Sequence, residues 1–121
     1  MDSKVFTDKI VSLVLEKKGY DVKILDIKNL SSIADFFVIC SAGSEPQVKA
    51  IADNVDKSLA DEGIKCYHKE GFDSLNWVLL DYFDVVVHIF KEDSRSFYNL
   101  EKLWGDAPVF EVAEDGTQTQ L

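Results

Sequence analysis

The stretch that decides the fold is Trp77-Val-Leu-Leu-Asp-Tyr-Phe-Asp-Val-Val-Val-His-Ile-Phe90, in which two apolar runs of strand length flank a short acidic turn. Antiparallel pairing of these runs would set Leu80 opposite Val85 and Val78 opposite Val87. Because strand side chains alternate between the two faces of a sheet, this face of the hairpin is purely aliphatic. The pattern therefore predicts a β-hairpin with one face in the core.

The opposite face of the predicted hairpin combines aromatic, aliphatic and ionisable side chains, and we call it the mixed face. It comprises Trp77, Leu79, Asp81, Val86, His88 and Phe90. In the same register, Trp77 lies across from His88, Leu79 across from Val86, and Asp81 across from Asp84 at the turn. Two interpretations stay open: helices cover the mixed face as part of the core, or it is exposed and receives a partner.

Length and composition fit one globular domain. The chain has 121 residues, of which 46% are hydrophobic and 29% charged. A chain of this length can bury a core without disulfides or a metal. No apolar run reaches membrane-spanning length, and the first residues resemble neither a signal peptide nor a transit peptide. We therefore expect a cytoplasmic protein with no membrane partner. Cys40 and Cys66 lack motif spacing and are expected to be core thiols.

The charge of the chain restricts its partners. Thirteen basic residues stand against twenty-two acidic ones, for a net charge of −9. Such a field repels phosphate backbones, so we expect no direct binding of nucleic acid. An acidic protein is drawn to a basic protein partner, although the same charge also serves solubility alone.

The rest of the sequence alternates helical and strand patterns. Apolar stripes predict helices at Lys4–Lys18 and Pro46–Glu62, the second with a capping box beginning at Ser44, and a final helix from Ser94 to about Gly105. Further strands are predicted at Asp21–Ile27, Asp35–Ser41 and Ile64–His68. The predicted fold class is α/β (α+β), a single domain with a mixed sheet of about five strands flanked by helices.

The end of the chain differs from the rest in composition. From Asp106 onward it holds acids but no Lys or Arg, and it finishes Thr-Gln-Thr-Gln-Leu. We therefore predict a domain over residues 1–107 and an acidic, partly disordered tail over residues 108–121.

Candidate chemistry is sparse. Cys40, Cys66, His68 and His88 lack the spacing of a zinc site, and we predict neither a metal nor a cofactor. Gly43-Ser44 between a strand and a helix could hold a phosphate, as in nucleotidyltransferases. Those enzymes also need alternating acids for magnesium, and Asp81 with Asp84 is the only close pair near a strand end. A nucleotidyltransferase-type enzyme is thus the alternative function.

Several sequence blocks in one order resemble the ribosomal silencing factor family, also called Iojap-related. The resemblance spans Lys4 to about Ala107 and is carried by Ala34–Ser41, Gln47–Asp53, Glu70-Gly71, Trp77–Tyr82, Asp84–Phe90 and Phe97–Ala107. It implies a nucleotidyltransferase-like fold without the catalytic acids, and a protein that is not an enzyme and is often a homodimer when free. It also implies binding to the large ribosomal subunit through ribosomal protein fourteen of that subunit, which blocks subunit joining and represses translation when nutrients are short.

Such a regulator needs aromatic anchors within a polar rim. The residues that we expect to contact the partner are Trp77, Leu79, Asp81, Tyr82 and His88 of the hairpin, followed by Tyr98, Glu101 and Trp104 of the last helix.

One position departs from the family pattern, because Phe83 stands where a turn glycine is usual. A wider or strained turn is expected there, and Phe83 could add an exposed aromatic to the partner surface. A dimeric scaffold without a ribosomal role is a third hypothesis.

Overall fold

A seven-stranded mixed sheet with helices on both faces makes up the computed structural model, which describes residues 2–121. The strands are β1 (Tyr20–Asp26), β2 (Phe36–Ala42), β3 (His68–Glu70), β4 (Trp77–Asp81), β5 (Val85–Lys91), β6 (Val109–Val112) and β7 (Gln118–Gln120). The helices are α1 (Ser3–Glu16), α2 (Glu45–Asp61), α3 (Glu92–Tyr98) and α4 (Leu100–Leu103). The predicted α/β (α+β) class with a mixed sheet is confirmed. Within residues 2–121, none of the helices combines the length and apolarity needed to cross a membrane.

The strand order is β3-β4-β5-β2-β1-β6-β7, and only the central pair β2 and β5 is parallel. Every residue of β2 is buried, as expected for a strand covered on both faces. Cys40 lies in this strand, and burial raises the pKa of its thiol to about 12. Cys66 is only half-buried, and its thiol donates to the carbonyl oxygen of His68 over 3.1 Å.

Helices α1 and α2 cover one face of the sheet, and their predicted bounds are correct to within two residues. The side chain of Asp2 caps α1, and the Ser44 hydroxyl accepts from the backbone N–H of Gln47 at the start of α2. Their apolar stripes pack on the aliphatic face of the hairpin, where Val78 and Leu80 have no exposed surface. This core occupies the aliphatic face of β4 and β5, so the mixed face lies on the side of the sheet opposite α1 and α2.

The hairpin of β4 and β5 is confirmed, but its register differs from the prediction by two residues. Leu80 pairs with Val87 and Leu79 with His88, while Trp77 lies opposite Phe90. A shift of two residues keeps each side chain on its predicted face, because the period of a strand is two. The division into an aliphatic and a mixed face therefore holds although the predicted pairs were wrong.

The register differs because the turn lies one residue further along the chain than predicted. The backbone N–H of Tyr82 donates to the carbonyl oxygen of Val85 over 2.9 Å, so Phe83 and Asp84 form the tip of the turn in place of the predicted Tyr82 and Phe83. Phe83 lies within it at a φ of 76°, the left-handed region that glycine adopts without strain. Of the two expectations for Phe83, the strained turn is confirmed and the wider turn is wrong.

Two predicted elements near the ends of the sheet were wrong in place or length. The segment predicted as a strand at Ile64–His68 forms pairs only from His68 to Glu70. The predicted final helix is two short helices, because Asn99 between them adopts a φ of 46° and its side chain caps the N–H of Lys102. Ser94 lies inside α3 instead of capping it, and Leu103 is 74% exposed instead of buried.

The acidic end of the chain forms two strands of the sheet, whereas the sequence predicts a partly disordered tail over residues 108–121. Strand β6 pairs with β1, Val22 lying opposite Val112, and β7 pairs with β6. The edge of β1 offers unpaired backbone groups that a strand of any composition can satisfy, and Val112 adds a buried side chain. Composition alone did not reveal this pairing because the available strand edge is formed by distant residues.

Candidate functional site

Strand β4 presents three alternate side chains on the mixed face. Trp77, Leu79 and Asp81 are all half-buried, whereas Val78 and Leu80 between them are buried on the other face. The structure thus brings together three of the predicted partner-binding residues in one row on the sheet. Their partial exposure combines two apolar side chains with one carboxylate.

Trp77 is held in place by aromatic rings. Its indole stacks on Phe90 with ring centroids 5.0 Å apart, and Tyr98 of α3 lies on it at 4.6 Å. Its Nε1–H donates to Nδ1 of His88 over 3.1 Å. With both its plane and its polar edge fixed, the ring is immobilised before any partner arrives.

His88 lies beneath the surface and not on it, which corrects its predicted role as a surface hydrogen-bonding group. Only 3% of its surface is exposed, and its ring meets that of Phe37 edge-on with centroids 4.6 Å apart. Burial lowers the pKa of His88 to about 3, so the ring is neutral at physiological pH. His88 supports Trp77 from below.

Tyr82 is also misplaced in the prediction, since its side chain belongs to the core on the helical side. It is 6% exposed and packs edge-on against Phe6 of α1, with ring centroids 5.6 Å apart. Burial raises the pKa of its phenol. Alternation along the strand decides its place: Tyr82 follows Val78 and Leu80, so it shares their face.

The three predicted residues of the last helix have different environments. Tyr98 is 47% exposed beside Trp77, and Trp104 is half-buried with its ring edge-on to Phe37 at 5.5 Å. Glu101 is bound within the protein, because one of its carboxylate oxygens lies 2.7 Å from Nη2 of Arg95. Tyr98 therefore extends the exposed part of the mixed face, while Glu101 is occupied by an ion pair.

Arg95 was missed at the sequence level although it carries a signal. It is the only arginine in a chain with twelve lysines, and arginine is selected where several acceptors must be held in fixed directions. Its guanidinium donates to the hydroxyl of Ser41 over 2.8 Å, to Glu101 over 2.9 Å and to the carbonyl oxygen of Asp21. Arg95 thereby fastens α3 and α4 to the ends of β1 and β2.

Two further aromatic side chains stand at the hairpin turn. Tyr67, just before β3, is 76% exposed, and Phe83 is 64% exposed. Their ring centroids are 5.5 Å apart. Phe83 was anticipated as an exposed aromatic residue. Tyr67 was assigned to a predicted strand and missed, because nothing in the local sequence indicates that it lies beside Phe83.

At the Gly43-Ser44 element, the backbone donor of Gly43 is already occupied. The N–H of Gly43 donates to Oε1 of Gln47 over 2.7 Å, and the Gln47 amide in turn donates to the carbonyl oxygen of Lys18 over 3.0 Å. Asp81, one of the two candidate magnesium ligands, accepts the N–H of Phe83 over 2.8 Å. Among residues 2–121, no three His, Cys, Asp or Glu side chains gather as they would around a metal ion.

Comparison with known proteins decides the family. Residues 2–120 match the family described as "Ribosomal silencing factor during starvation". The chain belongs to the ribosomal silencing factor family. The resemblance seen in the sequence blocks is thus confirmed, and the match extends through β6 and β7.

Proteins of several organisms are similar to this chain over most of its length. The ribosomal silencing factor of Halalkalibacterium halodurans is 46% identical over 112 residues, which is 93% of this chain and 96% of that protein. A Mus musculus protein named "Mitochondrial assembly of ribosomal large subunit protein 1" is 30% identical over 84% of this chain and 46% of its own length. A crystal structure of a Chromobacterium violaceum protein superposes with a TM-score of 0.84 at 33% identity, covering 87% of this chain and 88% of that one.

Proposed function

We propose that this silencing factor binds the large ribosomal subunit through ribosomal protein fourteen, sterically blocks the small subunit and represses translation when nutrients are short. Membership of the family supports the general role in silencing ribosomes, and the name of the mouse relative points to the large subunit. The observation that carries the proposal is the row of Trp77, Leu79 and Asp81, a half-buried strip on one face of β4. We also propose that the protein acts in the cytoplasm and forms a homodimer when free.

This strip on β4 has the chemistry of a protein-binding site. Trp77 is immobilised by Phe90 and His88, so little side-chain entropy is lost when a partner packs on it. Leu79 continues the apolar surface, and Asp81 supplies a carboxylate that makes no salt bridge within the described part of the chain. A ribosomal protein is basic and this chain has a net charge of −9, so long-range attraction favours the encounter.

The mechanism requires occupation of a surface and no reaction. A rigid aromatic anchor at the centre and an acid at its rim give affinity and orientation, respectively. The bulk of the bound protein then excludes the small subunit from the same side of the large one. This mechanism needs no cofactor and no metal.

Sedimentation with purified large ribosomal subunits tests the proposal. Truncation of Trp77 to Ala removes the anchor, and D81N removes the charge while keeping an oxygen that can accept the N–H of Phe83. We expect W77A to weaken binding about a hundredfold, as at an interface hot spot, and D81N about tenfold. V5A, at an exposed site on α1, is the matched control and should bind like wild type.

A folded W77A/D81N double variant that still migrates with large subunits would refute the proposed surface. Addition of wild-type protein to a mixture of purified subunits should also reduce the fraction of joined ribosomes. If joining proceeds unchanged under saturating protein, the steric mechanism is wrong.

The nucleotidyltransferase alternative makes an opposite prediction. It requires magnesium-dependent binding of ATP near Gly43-Ser44, where Gln47 occupies the backbone donor of Gly43. Titration calorimetry with ATP and magnesium should therefore give no binding heat. A saturable heat would favour the enzyme.

A further inference from the structure

Tyr67 and Phe83 form an exposed aromatic pair outside the mixed face. Their rings lie with centroids 5.5 Å apart and planes inclined by 39°, yet both side chains are mostly in solvent. The two rings contact each other and remain largely exposed, so they are available to a partner. We call this pair the aromatic clip.

The backbone at the clip is strained in order to present Phe83. Its φ of 76° lies in the left-handed region, which costs free energy for a bulky residue because Cβ crowds the following carbonyl. In this structure no burial compensates for that cost, since the ring points to solvent. Strain that persists at an exposed aromatic residue is typical of a functional position.

Asp81 organises both halves of the clip. Its backbone carbonyl oxygen accepts the N–H of Tyr67 over 2.8 Å, and its side-chain Oδ1 accepts the N–H of Phe83 over 2.8 Å. Because Asp81 is also the acid at the end of the strip on β4, the clip is continuous with the proposed ribosome-binding surface. Asp81 therefore links the strip on β4 to both residues of the clip through two hydrogen bonds.

The chemistry around the clip favours a cation. Asp81 and the exposed Asp84 lie at the same turn, so two carboxylates accompany two aromatic faces. A guanidinium stacks on aromatic rings and is less strongly hydrated than an ammonium, so arginine suits this combination better than lysine. The neighbouring cation Lys69 does not fill the site, because its Nζ lies 2.6 Å from a carboxylate oxygen of Asp56.

We propose that the aromatic clip holds an arginine side chain of the basic protein that binds the mixed face. This inference rests on the proposed function and extends its surface beyond β4. It also assigns a role to Phe83, whose side chain is exposed although its backbone is strained.

Substitutions that separate the ring from the backbone test the inference. F83N removes the ring but tolerates positive φ, and Y67S removes the other ring from an exposed site. F83Y and Y67F keep the rings and are the matched controls. With purified large ribosomal subunits, F83N and Y67S should each weaken binding about threefold to thirtyfold, whereas F83Y and Y67F should bind like wild type.

The outcomes distinguish this inference from the proposed function. If W77A weakens binding but F83N and Y67S do not, the clip is refuted and the surface on β4 stands. If wild type does not bind large subunits at all, the proposed function fails and the inference fails with it. If F83N and Y67S instead dissociate a dimer in sedimentation equilibrium and leave subunit binding intact, the clip joins two copies and the inference is wrong.

Discussion

The indole Nε1–H of Trp77 donates to Nδ1 of His88 over 3.1 Å, diagonally across β4 and β5. The bond requires Nδ1 to be unprotonated, so the neutral ring carries its proton on Nε2. Nε2 is buried and has no hydrogen-bond partner among residues 2–121. A buried, neutral histidine therefore holds the half-buried tryptophan on which the proposed surface depends.

The neutrality of His88 predicts a loss of stability in mild acid. Its pKa is about 3 in the folded protein and about 6.5 in the unfolded chain. As the pH falls, the unfolded chain therefore binds a proton at His88 before the folded protein does. The stability that neutral His88 contributes is complete above pH 6.5 and is lost as the pH falls from 6.5 toward 3. The free energy of unfolding should decrease by up to about 1.4 kcal/mol per pH unit in this window.

Urea unfolding at pH 7, 6 and 5 measures the effect, and the only other histidine supplies the control. H88Q should lower the stability at pH 7 but flatten the pH profile, because the titrating group is gone. H68Q, at an exposed site on β3, should keep the wild-type slope. Equal slopes for wild type and H88Q would show that His88 does not control the acid response.

Gly71 is required by close packing as well as by its backbone conformation. A Cβ at this position would lie 1.9 Å from the carbonyl oxygen of Trp77, and the residue has a φ of 91°. G71A should therefore destabilise the protein by about 3 kcal/mol, since backbone strain adds to overlap. It should also displace the start of β4 and weaken binding to large subunits.

Gly63 allows the two causes to be separated. Its φ is 82°, but a Cβ there would meet nothing within 4 Å. G63A should cost only the conformational strain, about 1 kcal/mol, and should bind normally. Thermal unfolding of both variants measures the difference, and a G71A protein as stable as G63A would contradict the packing argument.

Arg95 should control how firmly α3 and α4 lie on the sheet. Its side chain is 12% exposed and its partner Glu101 23%, while no residue of α3 is buried. R95A leaves the hydroxyl of Ser41 and the carboxylate of Glu101 without their donor, at a cost of about 1–3 kcal/mol. Hydrogen exchange of residues 92–104 should accelerate, because few other contacts hold them.

K102A, at an exposed position on α4, is the control for the loss of a positive charge. It should leave exchange in residues 92–104 unchanged. If R95A also leaves hydrogen exchange unchanged, the apolar contacts of Leu100 and Trp104 are sufficient to hold residues 92–104 on the sheet.

Strands β6 and β7 should be needed for stability. Truncation after Ala107 removes both strands, exposes the edge of β1 and uncovers the core beside Val112. We expect a lower unfolding temperature and association through the free edge, detected by calorimetry and size-exclusion chromatography. Truncation after Gly116 removes only β7, whose residues are mostly exposed, and should be milder. A truncation after Ala107 that is monomeric and fully stable would contradict the role of β6.

The sequence by itself determined the elements with strong periodicity and the division of the hairpin into two faces. Helix α2 follows from its apolar stripe and the Ser44 cap, and β4 and β5 from their alternation. These signals are local, since hydrogen bonds and side-chain directions within an element depend on neighbouring residues. For the same reason the faces survived a register error of two residues.

Only the tertiary structure decided which side chains reach the surface. Tyr82 and His88 were expected in the interface, but α1 covers the first and the ring of Trp77 with Phe37 covers the second. The tail joins the sheet because β1 offers it an edge. Burial and edge pairing depend on elements far apart in sequence, which no local pattern records.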